Sequence, residues 1–216
     1  MSETRIPLVL KLKRTQQKEI AKAQDIMVNI MYTVFDNVVL HGGTSIWRCY
    51  GGNRFSEDVD VYIIKNIKKI ELFFDKLKER GFIELKKKIS ETSIFSNFEF
   101  NRTNVRFEAL FKDVKGELRD YETADGNFIT VYTLSPETLI KEKVEAYLRR
   151  LKIRDLYDIF FLLRYVKDKN IVKKDLERLL KEFKHPIDET DLKVLIIQGL
   201  TPPTNSMLNY IQGEIG

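Results

Sequence analysis

A chain of 216 residues is long enough for one large domain or two small ones. With 43% of its residues hydrophobic and 32% charged, it can bury a core and cover it, which excludes a largely disordered chain. The single cysteine, Cys49, excludes an intrachain disulfide framework and a cysteine-rich zinc or iron–sulfur site, and a net charge of +5 spread over this length is compatible with a polyanionic partner without pointing to one. The opening residues hold only the short apolar run Ile6-Pro7-Leu8-Val9-Leu10, with no small-residue cleavage site, and no later window approaches membrane-spanning length. A soluble, cytoplasmic protein with no membrane partner is expected.

Helical spacing of Ile20, Ala23, Met27, Ile30, Met31 and Val34 predicts a helix from Gln16 to Phe35. A short apolar strand, Asn37 to His41, follows and is stopped by Gly42-Gly43, with a helix expected from Thr44 to Tyr50. From Asp58 to Ile64 the residues alternate, Val59, Val61 and Ile63 on one face and Asp58, Asp60 and Tyr62 on the other, which predicts a strand. A helix from Ile67 to Arg80 is ended by Gly81. Strands are expected at Ile83 to Ile89, Ser93 to Phe100, Val105 to Phe111 and Phe128 to Tyr132, with Asn101 to Asn104 as a hairpin turn. At Ser135-Pro136-Glu137 a serine cap, a proline at the first helical position and an acid in the first turn open an all-helical half. Its helices are expected at Pro136 to Leu151, Ile153 to Val166, Lys173 to Phe183, Glu189 to Ile197 and Asn205 to Ile211. The reading is a mixed α/β half, residues 1–134, followed by a helical half, residues 135–216.

The residues that carry chemistry gather in His41-Gly42-Gly43-Thr44-Ser45 and Arg54-Phe55-Ser56-Glu57-Asp58-Val59-Asp60. Gly42 and Gly43 let a ligand approach the backbone, and the amides at a helix start, with the Thr44 and Ser45 hydroxyls, suit a phosphate. Asp58 and Asp60 project to one side of a strand, where acids are disfavoured unless compensated; two carboxylates beside a phosphate-binding turn suit a pair of Mg2+ ions. The plainer alternative is a tight turn followed by a solvated strand end. Ser56 completes an S-x-D-x-D pattern, and Arg54 either pairs with a phosphate or pins the acidic turn.

These stretches, G-G-T-S-x-W-R and then R-F-S-E-D-V-D, resemble the first motif of the minimal nucleotidyltransferases, and specifically of the AbiEii-type toxins of abortive-infection and type IV toxin–antitoxin systems. That family commonly has alanine and leucine where this chain has Ser45 and Ile46. L-I-K-E-K-V-E-A-Y-L-R-R and I-R-D-L-Y-D-I-F-F-L-L are similar to its later motifs, so the resemblance runs from about Val38 to Leu163. It implies a nucleotidyltransferase-fold mixed sheet with flanking helices and then a helical domain. It also implies Mg2+, a nucleoside triphosphate as substrate, and transfer of its monophosphate to an acceptor hydroxyl, with RNA, the 3′ end of tRNA, as the expected acceptor. In that scheme Gly42, Gly43, Thr44 and Ser45 hold the terminal phosphates and Asp58 and Asp60 bind metal. A third carboxylate on a neighbouring strand is common in the fold, with Glu108 the candidate and Glu99 its rival. A cognate antitoxin, often a winged-helix protein, is the implied partner.

In the helical half, Lys143 lies at the edge of the stripe Leu139, Ile140, Val144, Tyr147, Leu148 and Leu151. There it either snorkels to water or, as the resemblance favours, neutralises charge on the triphosphate. Asp155 and Asp158, at i and i+3 on an apolar helix, need partners: Arg154 at i, i+4 for Asp158, Arg150 or Lys143 for Asp155. Asp155 is assigned to the active cleft together with Lys143. His41 reads as a packed histidine, His185 as loop surface and Trp47 as helix packing. Lys86-Lys87-Lys88 is a solvated face or a binding surface for an RNA backbone. The competing class is a non-catalytic nucleotide- or RNA-binding module of the same fold. No Walker A pattern occurs.

Overall fold

The computed structural model describes residues 6–215. Met1–Arg5, on which part of the reading of a leaderless start rests, lie outside the described residues. The chain forms two compact units, one made of the residues up to Gly51 with Phe55–Thr133, the other of Gly52–Arg54 with the residues from Leu134 onward. The sequence assigns 52–54 to the first half; the structure gathers them with the second.

The first unit opens with a short helix α1 (Leu8–Lys11) that the sequence does not announce, then α2 (Thr15–Val34), β1 (Val38–His41), α3 (Gly42–Cys49), β2 (Asp58–Ile63) and α4 (Ile67–Glu79). It continues with β3 (Ile83–Ile89), β4 (Ser93–Phe100), β5 (Thr103–Phe111), β6 (Glu117–Glu122) and β7 (Phe128–Thr133). The strands form one mixed sheet in the order β3-β4-β5-β2-β1-β7-β6. β1 runs parallel to β7 and β2 parallel to β5, and the other neighbours are antiparallel.

Alternation in β2, β4 and β5 sorts their side chains to two faces. Val59, Val61, Ile94, Phe98, Phe107 and Ala109 are buried on one of them. α4 covers this face, with Phe73 packed on Phe107 at 4.8 Å and Phe74 on Phe98 at 5.4 Å between ring centroids. α2 lies against the same strands and buries Ile20, Met27 and Met31. Each such side chain contributes roughly 1.5–3 kcal/mol by leaving water.

α4 starts where the Asn66 side chain accepts the Lys69 amide at 3.1 Å, and it ends at Gly81, whose φ of 88° reverses the chain into β3. Between β4 and β5 the sequence predicts a turn of Asn101–Asn104; the structure closes it with Asn101 and Arg102 alone, at φ 48° and 61°, and β5 starts at Thr103. Both turn residues are left-handed, as a tight two-residue hairpin requires. Arg102→Gly is therefore expected to raise stability by about 0.5–1 kcal/mol in a denaturant titration, because arginine gains nothing there against its backbone strain.

The second unit holds α5 (Pro136–Arg150), α6 (Ile153–Leu162), α7 (Asn170–Lys181), α8 (Leu192–Leu195) and α9 (Thr204–Gly213). Ser135 caps α5, its hydroxyl accepting the Thr138 amide at 3.2 Å. α6 stops earlier than predicted, in a 3-10 turn over Leu163–Tyr165, and the segment predicted as Glu189 to Ile197 divides into a 3-10 turn (Glu189–Asp191) and α8. Residues 52–54 join this unit through a bridge between Arg54 and Ile196 and a bond from the Ile197 amide to the Asn53 carbonyl at 2.8 Å. Among the described residues no helix is long and apolar enough to cross a membrane.

Candidate active site

β1 turns into α3 with no intervening loop, because Gly42 takes φ 69°, a conformation open to glycine. The helix thus starts two residues before the predicted Thr44. His41 pairs in register with Asp60 of β2, which brings the Asp60 carboxylate against the elbow. A Cβ on Gly42 would overlap Asp60 Oδ2, so the space that the missing side chain leaves is the space the carboxylate uses.

The hydroxyls predicted to meet a phosphate are spent inside the protein. Thr44 and Ser45 are fully buried. Thr44 Oγ1 donates to the Asp58 carbonyl and accepts from Gln24 Nε2 at 3.4 Å. Ser45 Oγ bonds Thr133 Oγ1, which in turn donates to the Leu40 carbonyl at 2.9 Å. Ser56 is also buried, and its carbonyl accepts Gln24 Nε2 at 2.9 Å. These side chains fix the elbow to β2, β1 and β7; the anion-binding groups left at the start of α3 are its first backbone amides, which have no partner within the helix.

Asp58 and Asp60 stand on the face of the sheet away from Val59 and Val61, both partly exposed. Parallel pairing of β2 with β5 sets Arg106 beside Asp58 and Glu108 beside Asp60. Glu99 pairs with Asn104 instead, one strand further away on β4. Arg106 holds Asp58 through Nε at 2.6 Å and Nη2 at 3.0 Å. Partial burial opposes the Arg106 charge, yet Asp58, with Glu57 and Glu108, raises its pKa overall. Burial, and then the like charges of Asp60 and Asp58, push the Glu108 carboxyl above the ordinary glutamate range.

A raised acid binds its proton more tightly folded than unfolded, so stability falls as pH rises from 4.5 through the elevated value. Glu108→Gln is expected to flatten that limb and to raise Tm at neutral pH, on the order of 1 °C, in melting curves taken without divalent ions across that range.

Among the described residues no three carboxylate, imidazole or thiol groups are drawn together into a ready metal site. The donor set nonetheless fits a hard divalent cation. It consists of carboxylate oxygens, those of Asp58, Asp60 and Glu108, gathered on neighbouring strands. The competing Arg106–Asp58 pair is partly exposed, a class of interaction contributing roughly 0.2–1 kcal/mol, which a metal can displace.

The second unit holds a separate ionic cluster. Arg54, predicted for a phosphate or the acidic turn, reaches the Asp158 carboxylate with both Nε and Nη2 at 2.8 Å. Lys143 Nζ lies 2.8 Å from Asp158 and 3.4 Å from Asp155. Arg150 grips Asp155 with two bonds of 2.7 Å. The predicted Arg154–Asp158 pair is thus replaced by Arg54–Asp158, while Arg150 and Lys143 both serve Asp155. Both aspartates are fully shut from water, and Lys143 is 7% exposed. Burial favours the neutral acid at Asp158, but Arg54 and Lys143 outweigh it and lower its pKa. In these pairs three cations, Arg54, Lys143 and Arg150, meet two carboxylates, Asp155 and Asp158. Elsewhere His41 stacks on Tyr62 at 4.1 Å and Trp47 packs edge-on to Phe55 at 4.9 Å, both as packing residues.

The sequence profile of the family described as nucleotidyl transferase AbiEii toxin, type IV TA system, matches residues 26–201. No curated protein matches the chain in sequence. Among solved structures, JHP933 from Helicobacter pylori superposes with a TM-score of 0.64 at 20% identity, over 94% of this chain and 93% of that one. MenT4, a nucleotidyltransferase toxin from Mycobacterium tuberculosis H37Rv, superposes with a TM-score of 0.63 at 16% identity, over 96% of this chain and 86% of that one. At these identities the structures establish a shared fold, the mixed sheet with flanking helices and a helical second half. With the family's own sequence pattern spanning the glycine elbow, the strand aspartates and the α5–α6 cluster, the chain belongs to the AbiEii family of nucleotidyltransferase toxins of type IV toxin–antitoxin systems.

Proposed function

We propose that this chain transfers a nucleoside monophosphate from an NTP to a hydroxyl of RNA, with the 3′ end of a tRNA as acceptor, in a reaction that depends on Mg2+. The observation that carries the reading is Asp60 seated against the side-chain-free Gly42, with Asp58 on the same face and Glu108 in register beside it. Asp58 and Asp60 are the residues that would hold metal, and Glu108 supports them. Bound there, divalent ions supply a lowered pKa at the acceptor hydroxyl and charge neutralisation at the leaving group.

The chain's own groups do the rest. The first amides of α3 donate to the terminal phosphates, and Gly42 and Gly43 let those oxygens approach the backbone. The acceptor hydroxyl gives up its proton to solvent as its oxygen attacks the α-phosphorus, the bond from that phosphorus to its bridging oxygen breaks, and pyrophosphate leaves. Lys143 is assigned the neutralisation of phosphate charge, and Asp155 and Asp158 orient its ammonium. Thr44, Ser45 and Ser56 are assigned to positioning, since their bonds hold the elbow to the strands. Arg54 orients Asp158.

The deciding experiment incubates the purified chain with each labelled NTP in turn, Mg2+ and deproteinised tRNA. Mg2+-dependent label in the RNA with at least one NTP is expected. RNA binding that is indifferent to metal, with no label from any NTP, would instead identify a non-catalytic module in which Arg106 permanently occupies Asp58. Membership of a type IV system also implies a cognate antitoxin as partner.

A further inference from the structure

Strand register gives the run Lys86-Lys87-Lys88 a meaning its sequence lacks. The pairing of β3 with β4 is interrupted between Glu84 and Lys86, so that Leu85 is an extra residue. Beyond that bulge Lys86 pairs with Asn97 and Lys88 with Phe95, while Lys87 pairs with Ser96 on the opposite face. The split is visible in the side chains. Lys87 Nζ sits over the ring of Phe74 on α4, 4.1 Å from its centroid and on the covered face, whereas Lys86 Nζ sits over the ring of Phe95, 5.3 Å from its centroid.

Continuing across β4, β5 and β2, two adjacent rows run over the uncovered face. One is Lys88, Phe95, Glu108, Asp60; the other is Lys86, Asn97, Arg106, Asp58. Lys86, Lys88 and Arg106 are exposed and Phe95 is partly exposed. Phe95 is two strands from Asp60, roughly 10 Å at the usual strand spacing. Cations flanking an accessible aromatic ring, in line with acids that would hold metal, match what a flexible nucleic acid strand requires: charge for its phosphates, and a platform on which a base of any identity stacks. Duplex RNA does not offer splayed bases to such a ring.

We propose that the open face of β3, β4 and β5 is the track on which the single-stranded end of the acceptor RNA lies, one base stacked on Phe95 and its phosphates paired with Lys86, Lys88 and Arg106. The proposal rests on RNA being the acceptor. The alternative occupant, a protein strand added to the edge of β3, is disfavoured because lysines on an edge strand together with a bulge are what keep such an edge from pairing.

The test is fluorescence anisotropy of the full chain with a short labelled single-stranded RNA, read as Kd against salt concentration. Phe95→Leu is expected to weaken binding about 10-fold or more. The double variant Lys86→Gln/Lys88→Gln is expected to weaken it and to reduce the salt slope by roughly 0.7 for each phosphate that no longer meets a lysine. Lys87→Gln, which removes a neighbouring charge from the covered face, serves as the internal control and is expected to bind like wild type. Equal losses from Lys87→Gln and from either open-face lysine changed singly would reduce the effect to net charge and overturn the track. So would wild-type affinity in both Phe95→Leu and the lysine double variant, or variants that keep RNA affinity while losing co-purification with the antitoxin. Wild-type protein that binds no RNA would overturn the acceptor class itself, a result distinct from the others. Because the lysines are exposed, the double variant tests the idea even if Phe95→Leu folds poorly.

Discussion

Asp60→Asn is expected to lower nucleotidyl transfer on the order of 10³-fold, the scale of the several kcal/mol of charge stabilisation that metal-bound carboxylates provide. The substitution keeps the size of the side chain, so the close fit against Gly42 survives. It removes one of the two like charges that push Glu108 upward. Initial rates beside a melting curve separate loss of chemistry from loss of structure. A second readout does not need turnover: Mg2+ at tenfold over its Kd should raise wild-type stability by ~1.4 kcal/mol and leave the variant unmoved. A variant within tenfold of wild type would remove Asp60 from the chemistry.

The largest effect on stability is expected from Asp158→Ala. It would take from the buried Arg54 and Lys143 the carboxylate they share, and breaking a buried pair by removing one partner costs roughly 3–5 kcal/mol. In a chain of this length that lowers Tm by on the order of 10 °C, measurable by calorimetry. The double variant Arg54→Leu/Asp158→Leu should recover much of the loss, since exchanging both partners for apolar groups leaves neither unpaired. The pH dependence has a definite sign. The folded pKa of Asp158 is below its ordinary 3.8, so its contribution is fully present above that value and is lost as pH falls through the lowered one. Asp158→Asn should therefore unfold with a shallower acid limb than wild type. A cost below 1 kcal/mol would mean that water, and not Arg54, meets this carboxylate.

What the sequence discloses and what it hides divide along physical lines. β2 and β4 are readable because buried and partly exposed residues alternate along most of each strand. β6, Glu117–Glu122, escapes because it is an edge strand whose first four residues meet solvent on both faces, leaving no apolar period. α3 is predicted two residues late because a glycine pair reads as a break, whereas at φ 69° the first glycine is itself the entry to the helix.

At the site, the paired strand acids stand out in sequence because acids are unusual there. The roles of Thr44 and Ser45 do not, since a hydroxyl beside glycines suits a phosphate equally well until Gln24 and Thr133 are seen to consume it. Arg106 and the Arg54–Asp158 pair join residues distant in the chain, in the latter case 104 positions apart, and no local spacing encodes them.

Residues 52–54 belong to the second unit although the chain before and after them belongs to the first, so the polypeptide passes between the units at three points rather than one. A fragment ending at residue 133 would carry a guanidinium whose carboxylate is encoded beyond the cut. Any attempt to express the halves separately must first rebuild that three-residue excursion.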